Sequence, residues 1–200
     1  KSLDEREWLR LSDASFLRTD RSEERGEWRH KPQMRDRWNI RYDYKDMHLN
    51  MRLGLTSFKH VGIFPEQAAN WNFIYDTCRA KIEKPSREGK PKILNLFAYT
   101  GGATLAAAAA GASVVHVDAS KGIVAQAKEN AALSVLGGAP IRYIVDDCKK
   151  FVERELRRGN KYDAVIMDPP SYGRGPSGEV WKIEDSIDSL VTLTAQLLSD

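Results

Sequence analysis

Four short stretches hold residues whose types and spacing could do chemistry. In "YDAVIMDPPSYGRGPSGEVW" an apolar run ends on Asp168, followed by Pro169, Pro170 and Tyr172. An acid there could orient an amine or position an acceptor. Prolines fix φ and leave backbone carbonyls without ladder partners, aimed into a crevice. Tyr172 could stack on a planar substrate. The glycine- and proline-rich residues that follow read as a mobile substrate loop, with Arg174 available to a phosphate. In "AYTGGATLAAAAAGA" the pair Gly101 and Gly102 removes side chains where a strand turns into a helix, so that a ligand can lie against backbone at the helix N-terminus. "HVDAS" places Asp118, with Ala119 and Ser120 after it, 16 residues beyond Gly102. A carboxylate at such a strand end can accept from both hydroxyls of a ribose. "YIVDDCKKF" offers Asp147 to an exocyclic amine of adenine and the backbone amide of Cys148 to a ring nitrogen. Asp146 is its rival, because strand alternation sends neighbours to opposite faces.

Each stretch also has a plain structural reading. Glycine permits a turn and alanine forms helix. Asp118 or Ser120, and Asp146 or Asp147, could cap the helices that follow them. Pro-Pro could simply end a strand. The spacing speaks against a dinucleotide, since the fingerprint G-x-G-x-x-G does not occur, and the phosphate loop G-x-x-x-x-G-K-[ST] is absent as well. A nucleotide-like ligand without a pyrophosphate remains.

The elements that must position these residues follow from periodicity. Short apolar runs at 93–97, 113–117, 141–145 and 164–167 alternate with helical stretches at 103–110, 123–136 and 149–158. Fully apolar strands alternating with helices imply an α/β fold, a doubly wound, mostly parallel sheet covered on both faces, with its ligand crevice at the strands' carboxyl ends. Three of those four ends carry carboxylates, and the fourth carries the glycine pair. A further helix is predicted over 65–83, opened by Pro65. Before residue 60 the rhythm is different. "RWNIRYDYKDMHLNMRLGL" alternates polar and apolar residues and predicts a hairpin of 38–44 and 47–55 turning near Lys45. Two regions are expected: a β-rich N-terminal appendage over 1–60 and an α/β core over 61–200. The chain starts without methionine and ends on the amphipathic "SLVTLTAQLLSD", as a core incomplete at its C-terminus would.

Charge is unevenly placed. Residues 1–60 hold 14 Lys/Arg against 11 Asp/Glu, whereas 61–200 hold 17 of each. Between Trp28 and His60 stand 8 basic and 3 acidic residues, interleaved with Trp28, Trp38, Tyr42, Tyr44 and Phe58. Basic residues among aromatics suit phosphate contact with base stacking, although a solvated sheet face has the same composition. Cys78 and Cys148 are far apart and in no metal-ligand spacing, so neither a disulfide framework nor a metal site is expected. No apolar run of about 18 residues occurs, so no membrane span is expected either. A cytoplasmic location fits.

"ILNLFAYTGGATLAAAAAGASVVHVDASKGIVAQAKENAAL", with "YIVDDCKKFVEREL" and "YDAVIMDPPSYGRG", resembles the class I S-adenosylmethionine-dependent methyltransferases. Within them it is similar to the ribosomal large-subunit RNA methyltransferases that include cytosine carbon-5 enzymes. The resemblance covers 92–173 closely, and "FKHVGIFPEQAANW" more loosely. It implies a Rossmann-like core that binds S-adenosyl-L-methionine, with RNA, ribosomal in that group's manner, as substrate and no metal. Tyr99, Thr100, Gly101 and Gly102 would line the methionine part of the cofactor. Asp118 would hold its ribose, with Ala119 and Ser120 alongside, and Asp147 with Cys148 its adenine. Asp168, Pro169, Pro170 and Tyr172 would face the methyl donor and acceptor, and Phe64 and Gln67 would close the pocket.

The chain also departs from the group. No preceding RNA-binding PUA domain is recognisable, and only four of the family's seven strands are visible. Carbon-5 chemistry needs a cysteine thiolate, and neither cysteine is well placed for it. The nucleophile could lie beyond Asp200, or the reaction could be methylation of an amine, which needs no covalent intermediate. Two other readings remain: a methyltransferase acting on protein or a small molecule, and a non-catalytic RNA-binding module on the same fold. The glycine spacing disfavours a nicotinamide-dependent oxidoreductase.

Overall fold

A computed structural model describes residues 4–18, 26–56, 59–84, 89–174 and 178–199. The chain divides into two compact units, one of Lys1–Ile40 with Arg52–Ile63 and the other of Arg41–Met51 with Phe64–Asp200.

The first unit opens with helix α1 (Glu5–Leu11). A capping box starts it: the Asp4 side chain accepts from the Glu7 amide at 2.8 Å, and the Glu7 side chain accepts from the Asp4 amide at 3.1 Å. Strands β1 (Ala14–Arg18) and β2 (Gly26–His30) then pair antiparallel, with Phe16 opposite Trp28 and their rings 5.1 Å apart. The charged sequence here had no clear reading, because two short strands with exposed faces lack an apolar run. Strands β3 (Arg37–Tyr44) and β4 (Met47–Gly54) form the expected ribbon, turning at Lys45 with φ of 50°. The ribbon's ends belong to the first unit and its tip to the second.

In the second unit the tip residues Tyr42 and Tyr44 dock on helix α2 (Ala68–Glu83), which a 3-10 turn at Pro65–Gln67 introduces. Tyr42 packs edge-on against Trp71 and donates to Asn72 at 2.9 Å, while Tyr44 packs against Tyr75 and donates to Asp76 at 2.8 Å. The core then alternates: β5 (Lys92–Leu96), α3 (Gly102–Ala109), β6 (Ser113–Asp118), α4 (Lys121–Leu133), β7 (Ile141–Val145), α5 (Cys148–Arg157) and β8 (Ala164–Met167). The four strands are parallel in the order β7-β6-β5-β8.

That order follows from connection handedness. Right-handed crossovers through α3 and α4 step outward from β5 on one face, and the return through α5 to β8 must cover the other. The burial agrees. Leu94, Leu96 and Val117 pack with Phe151 and Val152 of α5 and with Leu190 and Leu197, whereas Asn95 on the opposite face meets Thr104 of α3. The direction of winding reverses between β5 and β8, and the carboxyl ends flanking that point form the ligand crevice of such sheets.

Two departures from expectation lie after β8. The segment expected as a loop forms an antiparallel pair, β9 (Tyr172–Arg174) with β10 (Val180–Lys182), in which Trp181 faces Gly173. Residues 175–177 of the expected substrate loop lie outside the described residues, as does Phe58. Helix α6 (Ile183–Ala195) starts well before the amphipathic run noted at the C-terminus. After it, Leu197 and Ser199 hydrogen-bond to the backbone of Tyr162, beside the start of β8. No described helix is long and apolar enough to cross a membrane.

Candidate active site at the strand ends

The turn after β5 is held in a costly conformation. Phe97 and Tyr99 have φ of 53° and 48°, and Gly101 has φ of 95°. Left-handed non-glycine residues cost on the order of 1–3 kcal/mol each and persist only where their surroundings over-determine them. Here the surroundings do so. The Phe97 amide donates to the Cys148 thiol sulfur at 3.3 Å, and the Ala98 amide to the Val117 carbonyl at 3.1 Å. The Tyr99 amide donates to Asp118 Oδ2 at 3.0 Å. The Phe97 ring lies 4.9 Å from that of Trp181, and the Tyr99 ring 5.4 Å from that of Phe64. Buried Thr100 is fixed through its carbonyl, which accepts from Asn130 of α4 at 2.9 Å.

The glycine pair has different reasons from those expected. Gly101 is required by its positive φ and by Ala127, which an added Cβ would meet at 3.3 Å. A Cβ on Gly102 would sit 2.6 Å from the Trp71 indole ring. The space on the Cβ side of Gly102 is therefore filled by a tryptophan of α2. The alanine run does pack closely, and Ala106, Ala107 and Ala108 are buried.

Asp118 ends β6 with both oxygens engaged by backbone, since Oδ1 also accepts from the Ser120 amide at 2.9 Å. Burial pushes its carboxyl above the usual range, against the pull of these two amides. Asp118 does not cap α4. That task falls to Ser120, whose hydroxyl accepts from Ile123 at 3.4 Å, with half-buried Ala119 between them. After β7, Asp147 is the N-cap of α5, accepting from the Lys150 amide at 2.9 Å. Its rival Asp146 turns to Arg154 in an ion pair. The Cys148 thiol is buried between Phe97 and Val117, and burial pushes it up to about 12. Cys78 is likewise pushed up to about 11 by burial in α2. Neither presents a thiolate nucleophile.

At the end of β8, exposed Asp168 accepts from Gln67 Nε2 at 3.1 Å, and Gln67 in turn accepts from Asn70 at 2.7 Å. Two distant segments thus meet, with Phe64 and Gln67 brought to Tyr99 and Asp168. The proline carbonyls differ from expectation. That of Pro170 accepts from the Trp181 indole at 2.6 Å, so it is engaged by β10 rather than left open. Half-buried Pro169 separates it from Asp168, and Tyr172 is 52% exposed at the start of β9, accessible to a planar group.

Sequence reasoning missed Asn70, Trp71, Asn130 and Trp181. It also missed a buried chain beneath the glycine turn, in which Thr104 bridges Asn95 and His116 at 2.9 Å each. Burial lowers the His116 imidazole to about 4. A histidine inside the apolar run "SVVHVD" was the available signal. Among the described residues no group of His, Cys, Asp and Glu could hold a metal ion.

Comparisons with known proteins place the chain in a family. Ribosomal RNA large subunit methyltransferase K/L of Shewanella frigidimarina is 33% identical over 138 residues, covering 68% of this chain and 17% of the relative. The chain thus spans about a sixth of the length of the curated relatives it matches. A SAM-dependent methyltransferase from Agrobacterium tumefaciens superposes with a TM-score of 0.84 at 39% identity, over 98% of this chain and 59% of that one. The methyltransferase SMU.776, solved in complex with SAH, gives 0.64 at 25% identity over 80% and 41% of the two chains. Residues 22–186 match the S-adenosylmethionine-dependent methyltransferase family, and the chain belongs to it.

Proposed function

We propose that the chain transfers a methyl group from S-adenosylmethionine to a base in RNA, ribosomal RNA being the substrate. The observation that carries the site assignment is the convergence of Tyr99 to Gly102, Asp118, Asp147 and Asp168 at the carboxyl ends of adjacent parallel strands. The name of the relatives supports the choice of RNA.

The donor set suits the cofactor. An ionised carboxylate offers about four lone-pair positions, and the two Asp118 uses on amides leave one on each oxygen for a ribose diol. Asp147 likewise caps α5 through Oδ1, leaving Oδ2 for an adenine amine beside the Cys148 amide. Tyr99, Thr100, Gly101 and Gly102 would hold the methionine part, at the N-terminus of α3, and Ala119 and Ser120 would flank the ribose. Phe64 would close the pocket over Tyr99.

The bound cofactor supplies an electrophilic methyl on a sulfonium, so the protein contributes orientation and electrostatics. Asp168 would accept a hydrogen bond from the acceptor base, with Gln67 and Asn70 setting the carboxylate's direction. Pro169 and Pro170 would hold that acid rigidly, the latter clamped by Trp181. Tyr172 would stack on the base. With both thiols buried and protonated, an amine acceptor fits the described residues better than a carbon needing thiolate attack. The N-terminal unit would contact RNA, and the enzyme would work in the cytoplasm.

The test is transfer of radiolabelled methyl to ribosomal RNA from cells lacking the protein, alongside calorimetry with S-adenosylmethionine. Label on RNA is expected. Cofactor binding with label only on protein or a small molecule would refute the substrate assignment.

A further inference from the structure

We propose that the N-terminal unit carries a subsite for the phosphate backbone of a single-stranded RNA segment, in the cleft lined by Arg35, Arg37, Trp38, Asn39 and Arg52. The inference rests on RNA being the substrate and locates where part of it is held. The cleft encloses about 330 Å³, near the lower end of the range of about 300–1,000 Å³ for small-molecule sites. Its size suits a phosphate with part of its nucleotide.

The lining residues are three arginines, an asparagine and a tryptophan, with no acidic residue among them. The cations come from three places: Arg35 from the turn before β3, Arg37 from its first residue and Arg52 from β4. Strand alternation puts Arg37 and Asn39 on the exposed side of β3, while Met51 and Leu53 of β4 are buried on either side of Arg52. The adjacent acid is engaged elsewhere, since Asp36 pairs with His30 at 3.4 Å.

Guanidinium forks match phosphate oxygens in bidentate geometry, which lysine cannot do. Asn39 has both donor and acceptor for a base edge or a ribose hydroxyl. Half-buried Trp38 stands between Arg37 and Asn39 on β3 and is the aromatic residue of the lining. Arginine with aromatic and amide groups is the equipment of a groove tracking single-stranded nucleic acid. An acidic peptide would use the cations but has less call on the indole and amide.

The test is fluorescence anisotropy of the full protein with a labelled, unstructured RNA oligonucleotide across a salt series. Each phosphate contact to single-stranded nucleic acid contributes about 0.7 to the slope of log affinity against log salt. Arg35→Gln/Arg37→Gln should lower that slope by about 1.4, with calorimetric affinity for S-adenosylmethionine unchanged. Arg35→Lys/Arg37→Lys should keep the slope and lose affinity through the lost fork geometry. An unchanged slope in the glutamine variant, or RNA left unbound by wild type while inorganic pyrophosphate binds, overturns the subsite. Parallel methyl-transfer assays separate the two ideas. Transfer to RNA with an unchanged slope removes only the cleft, whereas a changed slope without transfer to RNA removes only the substrate reading.

Discussion

Asp118→Asn separates the two tasks assigned to one carboxylate. The native oxygens accept from Tyr99 and Ser120 at 3.0 and 2.9 Å. Asparagine has a single oxygen, so one of these amides must face an NH2 group and lose its acceptor. A buried donor left unsatisfied costs about 1–3 kcal/mol. For a chain of this size, about 2–4 °C of melting temperature per kcal/mol gives a drop of about 2–12 °C without cofactor. The ribose task is read separately. Replacing charge-assisted acceptance by a neutral amide should cost about 1–3 kcal/mol of cofactor affinity, a rise in Kd of about 5- to 150-fold. Thermal melting without cofactor reports the first effect and titration calorimetry the second. An unchanged melting temperature would refute the anchoring of the left-handed Tyr99 turn, and an unchanged Kd would refute the ribose contact. The pH dependence gives a further check. Burial raises the Asp118 carboxyl, so the folded state binds its proton more readily than the unfolded chain. The stability from this site is therefore complete below the unfolded value near 3.8 and is lost as pH rises through the raised folded value. The asparagine variant should lack that fall.

Three other outcomes are expected. Gly102→Ala, with its Cβ 2.6 Å from the Trp71 ring, should destabilise by about 1–3 kcal/mol through overpacking, and Gly102→Ala/Trp71→Phe should recover part of that loss in chemical denaturation. Glu155 is buried, which pushes its carboxyl up, but hydrogen bonds from Tyr162, Asn160 and Arg158 outweigh burial and hold it below the usual range. Its stabilisation is present above the unfolded value near 4.5 and is lost as pH falls through the folded one, so an acid melting series on Glu155→Gln should show a shallower loss than wild type. Trp181→Phe removes the donor to the Pro170 carbonyl while keeping an aromatic ring beside Phe97, and turnover should fall about tenfold or less with Kd for the cofactor unchanged. Equal losses in both would argue that the indole supports the cofactor pocket instead.

The parallel sheet was legible because strands covered by helices on both faces are predominantly apolar, and 93–97 and 164–167 stand out against polar helical stretches. The β3–β4 ribbon was legible for the opposite reason, since one wet face enforces alternation. Strands β1 and β2 were not, because their pairing is a contact between segments that each lack a signal. The hairpin β9–β10 was hidden by a composition of glycine and proline that ordinarily marks loops. At the site, the carboxylates could be placed at the strand ends, but the capping roles of Ser120 and Asp147 and the divided tasks of Asp146 and Asp147 depend on side-chain direction. Gly102 shows the limit most clearly. Its presence was evident, while its reason, the Trp71 ring, comes from a different helix.

The order of strands and helices, the strand ends that bear acids and the two regimes of periodicity were determined by sequence alone, because each is written in residues close together along the chain. Tertiary structure alone decided which distant groups meet. Gln67 reaches Asp168 across 101 residues, Trp181 takes the Pro170 carbonyl, Cys148 supports the turn at Phe97, and Arg52 joins Arg35 and Arg37 around one cleft. The physical reason is that pattern reports which face of an element is buried, whereas partners are chosen only when faces from different elements are packed together.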